Sequence, residues 1–280
     1  MKNIFIVTSC ISICLMLVVG FFLYDQLPVR FKVAFLDVGQ GDAIFIQTPE
    51  KYQILIDTGA TSVITSELGS VMRPWDRSLD LVIITHPDAD HFGAIADVAR
   101  HYSIDSIVDN NFYHDAEFSS YQELVTTYEI QHIVPRDGYV LELSNDARLT
   151  FISVPHFGTH DDKNEESIIV RLDYRDMSFL FTGDAGIAVE QELIRQAPEL
   201  LGIDILKLGH HGSKTSTSGL FLAATQPSLA IISAGADNKY GHPHEGVMSL
   251  LDFFGIDSVC TCDHGRIVFT WKSEGLVMKR

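Results

Sequence analysis

The sequence predicts an α/β fold. Apolar, strand-like runs bounded by turn residues come in close succession early in the chain, strand and helix patterns alternate later, and several strands run directly into His- and Asp-rich loops. Residues 29–38 (VRFKVAFLDV), 42–48 (DAIFIQT) and 52–59 (YQILIDTG) read as a meander, with turns at Gly39-Gln40-Gly41 and Pro49-Glu50-Lys51. LDLVIIT (79–85) is apolar enough for a strand buried on both faces, and HFGAIADVARHY (91–102) carries apolar residues at helical spacing. A strand at 103–109, a helix over 119–129, strands at 139–143 and 148–154 and a polar loop from Gly158 to Glu166 follow. SIIVRLDY (167–174) and MSFLFTGD (177–184) form a hairpin across Arg175-Asp176, and 188–196 is an amphipathic helix. DILKLGHHGS (204–213) repeats the strand-then-polar-loop pattern, and the runs at 219–226, 229–235, 246–255, 257–262 and 266–271 close the chain as alternating helices and strands.

Of the 280 residues 46% are hydrophobic and 20% charged, with no repeat or low-complexity tract, so the body can bury a sizeable core. A formal net charge of −17 argues against a protein that wraps nucleic acid by general electrostatics, while leaving room for a local grip on one phosphate. Residues 4–24 contain no charged side chain and are long enough to cross a bilayer at about 1.5 Å per residue. That stretch is longer than a cleaved signal core and no A-x-A-like site follows, so an uncleaved anchor is expected over residues 1–28, with the body, 29–280, outside the cytoplasm. A secreted body is the alternative. Cys10 and Cys14 lie in the apolar segment, where the flanking residues make a poor lipidation site. Cys260 and Cys262, two apart in a strand, read as a buried thiol pair rather than a disulfide or a metal site.

The chemistry concentrates in Thr85-His86-Pro87-Asp88-Ala89-Asp90-His91, where four metal-capable side chains follow a strand within six residues. The spacing lets His86 and Asp88 face one ion while Asp90 and His91 reach its neighbour. The bland reading, a polar loop with Asp90 as a helix cap, does not call for four such residues together. The segment resembles the H-x-H-x-D-H signature of the metallo-β-lactamase superfamily, in the H-x-D-x-D-H form of its DNA-uptake branch, the ComEC/Rec2 competence proteins. The resemblance continues in order through FLDVGQGDA, ILIDTG, NEESIIVRL, FTGD, LKLGHHGSKTS and YGHPH, from Phe35 to about Val268.

That resemblance implies an αββα sandwich and a metal-dependent hydrolase holding two divalent ions, Zn or Mn. Asp184 would bridge them, and His210 or His211 would be the last histidine ligand; both sites follow apolar strands, where loops from neighbouring strands converge. His156 is available as an additional ligand, although the DNA-uptake branch has an N-x-x-S motif here, matched by Asn164 and Ser167. Paired cations make hydroxide available at neutral pH, so no Ser or Cys nucleophile is needed, and the resemblance makes Asp90 and Asp184 the expected catalytic carboxylates. Ser213, Lys214, Tyr240, His242 and His244 are candidates to bind substrate, Asp37, Gln40 and Asp42 to line the same mouth, and Asp57-Thr58-Gly59 to shape a turn. A phosphodiester, with single-stranded DNA as one form, is the expected substrate. A lactamase- or lactonase-type hydrolase and a non-catalytic binding protein are the rivals. In the resembling family the domain is one module of a larger membrane protein.

Overall fold

The computed structural model describes residues 10–20, 27–153, 162–273 and 275–280. The chain opens with an antiparallel meander, β1 (Lys32–Phe35), β2 (Ile44–Gln47) and β3 (Gln53–Ile56), and continues with parallel strands β4 (Ser78–Ile83), β5 (Ser103–Val108) and β6 (Gln131–Ile133). A second sheet repeats the plan. β7 (Val140–Glu142), β8 (Ala147–Ser153), β9 (Ile169–Tyr174) and β10 (Met177–Phe181) are antiparallel, and β11 (Ile205–Lys207), β12 (Leu229–Ile232) and β13 (Asp257–Cys260) add in parallel. β14 (Ile267–Lys272) and β15 (Gly275–Lys279) then return to the first sheet beside β1.

Period-2 alternation assigns the layers. Phe35, Ile44, Ile56 and Ile83 of one sheet meet Phe151, Val170, Phe179 and Phe181 of the other in the central core. The intervening residues Leu36, Phe45, Leu55 and Val82 pack outward against helices α1 (Val63–Val71), α2 (Ala89–Phe92), α3 (Ile95–His101) and α4 (Ser119–Thr127). On the other side Leu180, Leu206 and Ile232 face α5 (Ile187–Gln196), α6 (Gly219–Thr225) and α7 (Glu245–Phe254). The result is the expected helix–sheet–sheet–helix sandwich.

Register decides where chemistry can sit. Ile56, Ile83, Val108 and Ile133 are aligned across β3 to β6, and Phe181, Lys207 and Ile231 across β10 to β12, so the polar loops leaving the aligned strand ends share one edge.

Several elements depart from the sequence reading. α1, β6 and β15 were not anticipated; α1 mixes Thr, Ser and Gly with its apolar residues, and the two strands are short and partly exposed. The helix expected over 91–102 is two, because the chain breaks at Gly93-Ala94 between α2 and α3. Cys260 and Cys262 are joined as a disulfide, correcting the thiol-pair reading: the chain turns from β13 into helix α8 (Thr261–His264) instead of continuing as a strand, which brings the Cα atoms to 5.1 Å. Of the apolar segment 4–24, residues 10–20 are helical and exposed and the remainder lies outside the described residues. Among the described residues no helix is long and apolar enough to cross a membrane.

Candidate metal centre

The site is built from the β4–α2 loop, the β10–α5 loop and the loop after β11, and an outer layer of polar groups fixes its imidazoles. Asp57, at the end of β3, is fully buried and its carboxylate accepts from Thr85 N at 2.8 Å, Thr85 Oγ1 at 2.7 Å and His91 Nδ1 at 2.8 Å. Because the Thr85 hydroxyl spends its proton on Asp57, it accepts from His86 Nδ1 at 3.0 Å. His211 Nδ1 donates to the Ser233 carbonyl at 2.9 Å. Each ring thereby has its Nδ1 proton committed, which turns Nε2 toward the centre.

Two of those Nε2 atoms meet Asp184, and that of His86 lies toward Asp88. His91 Nε2 is 3.2 Å from Asp184 Oδ1, and His211 Nε2 is 3.3 Å from Asp184 Oδ2 and 3.4 Å from Asp90 Oδ2. Asp42, His91, Asp184 and His211 are all buried and place one ligand atom each within 4.8 Å of the others. Yet Nε2 of His86, His91 and His211, with Asp184 Oδ1 and Asp42 Oδ1, are buried without hydrogen-bond partners. Buried polar atoms are ordinarily satisfied, so an orphan cluster of imidazole and carboxylate donors fits a divalent cation.

The electrostatics agree. Burial alone raises the Asp184 carboxyl, but His211 and His91 outweigh it and hold the group well below its ordinary range. Burial lowers His91 and His211, but Asp184, followed by Asp57 for His91, holds both rings well above the ordinary histidine value. The centre thus stabilises positive charge. His86 goes the other way, pushed down by burial and by His91.

Two side chains complete the interior. Lys207, at the end of β11 and fully buried, pairs with Asp42 and donates to the Gly183 carbonyl at 3.1 Å. Ser167, the serine of the N-x-x-S motif, accepts from Asp184 N at 3.0 Å and lies 3.4 Å from His86 Nδ1. Gly41 lets the two loops close: its φ is +125°, and a Cβ there would stand 2.2 Å from the Asp90 carbonyl. Gly41→Ala is expected to destabilise the fold by more than about 2 kcal/mol and to weaken metal binding, measured by urea unfolding and metal titration.

The structure therefore brings His86, Asp90, His91, Asp184 and His211 together, with Asp88 at the rim, its Oδ2 3.9 Å from His86 Nε2. His211 is buried, whereas the His210 side chain is 26% exposed with Nε2 3.7 Å from Asp184 Oδ2. His156 lies outside the described residues. Of the substrate candidates, the His242 ring is 5.6 Å from that of His210 and 6.2 Å from that of His211, and Tyr240 stacks on it. Lys214 is exposed on the loop after His211. Ser213 bonds to Thr215, and His244 caps α7 by accepting from Gly246 N. Asp42 lies deeper than the mouth expected of it, Gln40 Oε1 accepts from Gly235 N at 3.4 Å, and Asp57 orients histidines as well as turning the chain. Lys207 and the Ser233 carbonyl escaped the sequence reading; a lone lysine inside the apolar run Ile205-Leu206-Lys207-Leu208 was the signal for the first.

This fold and site define a class. The Metallo-beta-lactamase superfamily profile matches residues 36–236, and the chain belongs to that superfamily. Within it the chain is related to competence proteins over most of its length. It is 32% identical over 281 residues to ComE operon protein 3 of Bacillus subtilis, covering 94% of this chain and 36% of that protein. It is 28% identical over 249 residues to Competence protein ComA of Neisseria gonorrhoeae, covering 87% of this chain and 33% of that one. The chain thus spans about a third of the length of these relatives. A shorter match, 26% identical over 160 residues, relates 56% of the chain to 55% of Exodeoxyribonuclease WalJ of Streptococcus pneumoniae.

Proposed function

We propose that this chain is a metal-dependent phosphodiesterase that cleaves nucleic acid, with single-stranded DNA as its polymeric substrate. The observation that carries the reading is a cluster of three buried imidazole nitrogens without hydrogen-bond partners, two of which, on His91 and His211, face Asp184. The similarity to an exodeoxyribonuclease and to competence proteins supports the substrate class.

In this reading His86, Asp88, Asp90, His91, Asp184 and His211 would hold the divalent ions, with His156 a further candidate from the sequence. His211 is chosen over His210 for its burial and for the committed Nδ1. Mn or Zn, once bound, supplies Lewis acidity and a hydroxide nucleophile at neutral pH. The chain's own work is to aim the donors through Asp57, Thr85 and Ser233, and to receive substrate on the side where Asp88, Asp90 and His210 are partly exposed. Lys214 offsets phosphate charge there. His242, held through its backbone by Asn238, meets the leaving oxygen. Residues 1–28 anchor the body, 29–280, on the outer side of a membrane.

The test is the purified chain with Mn or Zn on bis(p-nitrophenyl) phosphate and end-labelled single-stranded DNA, beside a lactam and a lactone. Turnover of the phosphodiesters alone is expected; turnover of only the carbonyl substrates would overturn the reading. Lys214→Ala is expected to raise KM several-fold and to flatten its salt dependence, whereas His242→Ala lowers kcat by about 10²-fold, both with metal content unchanged. Loss of metal from either variant would make the residue part of the centre instead. Deleting residues 1–28 should leave a soluble body with undiminished kcat; insolubility would show that the segment packs on the domain.

A further inference from the structure

We propose that the Cys260–Cys262 disulfide is a redox-exchange site, taking a dithiol as co-reactant, and that its state sets how firmly His211 is held. The inference starts from Thr261, which the disulfide brackets. The Thr261 side chain is 2% exposed, and its Oγ1 accepts from Ala234 N at 3.1 Å while lying 3.2 Å from the Ala234 carbonyl and 3.4 Å from that of Ile232. Those residues flank Ser233, whose carbonyl fixes His211 Nδ1 at 2.9 Å. A covalent ring that confines Thr261 therefore also confines the end of β12 and, through one carbonyl, the imidazole facing Asp184. Opening the ring restores backbone freedom at the residue making those contacts.

The exchange chemistry is available at the same place. Cys262 is partly exposed and Cys260 is buried, so an incoming thiolate reaches Cys262 Sγ. Attack there breaks the sulfur–sulfur bond and forms a mixed disulfide, and Cys260 Sγ leaves with the electron pair as a thiolate. The Cys262 N–H, 3.1 Å from Cys260 Sγ, donates to that leaving sulfur. The second thiol of the reductant then displaces Cys262, so the dithiol is oxidised to a disulfide, two electrons pass to the protein, and both cysteines take up protons according to pH. A body outside the cytoplasm would keep the pair oxidised until such a dithiol arrives.

The metal-affinity arm rests on the metal assignment above, so the experiment also includes a readout independent of metal. The full chain is equilibrated with oxidised or reduced dithiothreitol, and peptide mapping after alkylation reports the state of Cys260 and Cys262 apart from Cys10 and Cys14. Amide exchange is followed over residues 232–235, and Mn affinity is measured in each state. The expected results are reversible reduction by dithiothreitol, faster exchange at Ala234 on reduction, and Mn binding weaker by about 10-fold, the scale of losing an outer support of a metal ligand. Cys260→Ser/Cys262→Ser should behave as the reduced protein in both buffers. Thr261→Val should lose Ala234 protection in both states while the cysteines still cycle, which serves if the double variant fails to fold. Failure of either cysteine to be alkylated after reduction, or exchange at Ala234 that is the same in both states, would overturn the proposal. Absence of Mn binding in both states with Ala234 still responding would overturn the metal assignment and leave the redox coupling to β12 standing.

Discussion

Asp184→Asn is expected to lower hydrolysis by about 10³-fold or more while leaving the fold intact, on the scale of the charge stabilisation that a divalent centre supplies. Asp184 is 3% exposed, with Oδ1 3.2 Å from His91 Nε2 and Oδ2 3.3 Å from His211 Nε2, so it faces the inward nitrogen of both rings. The substitution removes negative charge without removing volume. Two imidazoles that Asp184 holds in a positive-charge environment lose their main counter-charge, and a cation placed among them loses an anionic donor. Asp90→Asn should act in the same direction, since Asp90 Oδ2 lies 3.4 Å from His211 Nε2. Metal analysis, steady-state kinetics on bis(p-nitrophenyl) phosphate and urea midpoints decide the matter. Near wild-type turnover with full metal content in either variant would remove that residue from the centre.

What the sequence revealed of this site was whatever is local in sequence. Four metal-capable residues between His86 and His91, just after an unbroken apolar strand, are visible because density within six positions needs no tertiary knowledge. Asp184 and the His210-His211 pair were legible through the resemblance to the superfamily, which their places directly after apolar strands support, since strand ends at a common edge bring distant loops together. The sandwich was legible through the same resemblance; which residues face which layer follows from the structure, where Phe179 and Phe181 enter the central core and Leu180 faces the helices. What remained hidden depends on contacts across long separations. Asp57 reads as a turn former until His91, 34 residues on, is found bonded to it. Choosing His211 over His210 requires knowing that Ser233, 22 residues later, takes one ring nitrogen. The disulfide was missed because the sequence Cys260-Thr261-Cys262 scans as a strand, where alternate side chains stand apart along one face, and the helical turn at Thr261 changes that.

Lys207→Met is expected to destabilise the metal-free protein by about 3–5 kcal/mol, the range for removing one partner of a buried ion pair. Lys207 fills its place in β11 with no side-chain exposure, and its ammonium meets the Asp42 carboxylate while donating to Gly183. Methionine matches the stem but leaves a carboxylate 1% exposed without its cation. Burial alone would push Asp42 up, but Lys207, then His211 and His91, hold it at about 2 against an ordinary value of 3.8. A depressed carboxylate contributes stability that is fully present above about pH 4 and is lost as pH falls toward 2. For Asp42 that contribution is about 2 kcal/mol. In chelator-treated wild type, stability should therefore fall across that acid window, and in Lys207→Met the fall should be shallower because less of it is there to lose. The double variant Asp42→Asn/Lys207→Met should recover part of the loss, since it removes the stranded charge along with its partner. Mn should narrow the gap between wild type and Lys207→Met, because a cation beside Asp184, whose Oδ1 is 3.9 Å from Lys207 Nζ, supplies some of the missing positive charge. Urea unfolding of the three proteins, with and without Mn, measures each of these differences. A penalty below about 1 kcal/mol for Lys207→Met, or no recovery in the double variant, would show that the pair does not carry the stability assigned to it.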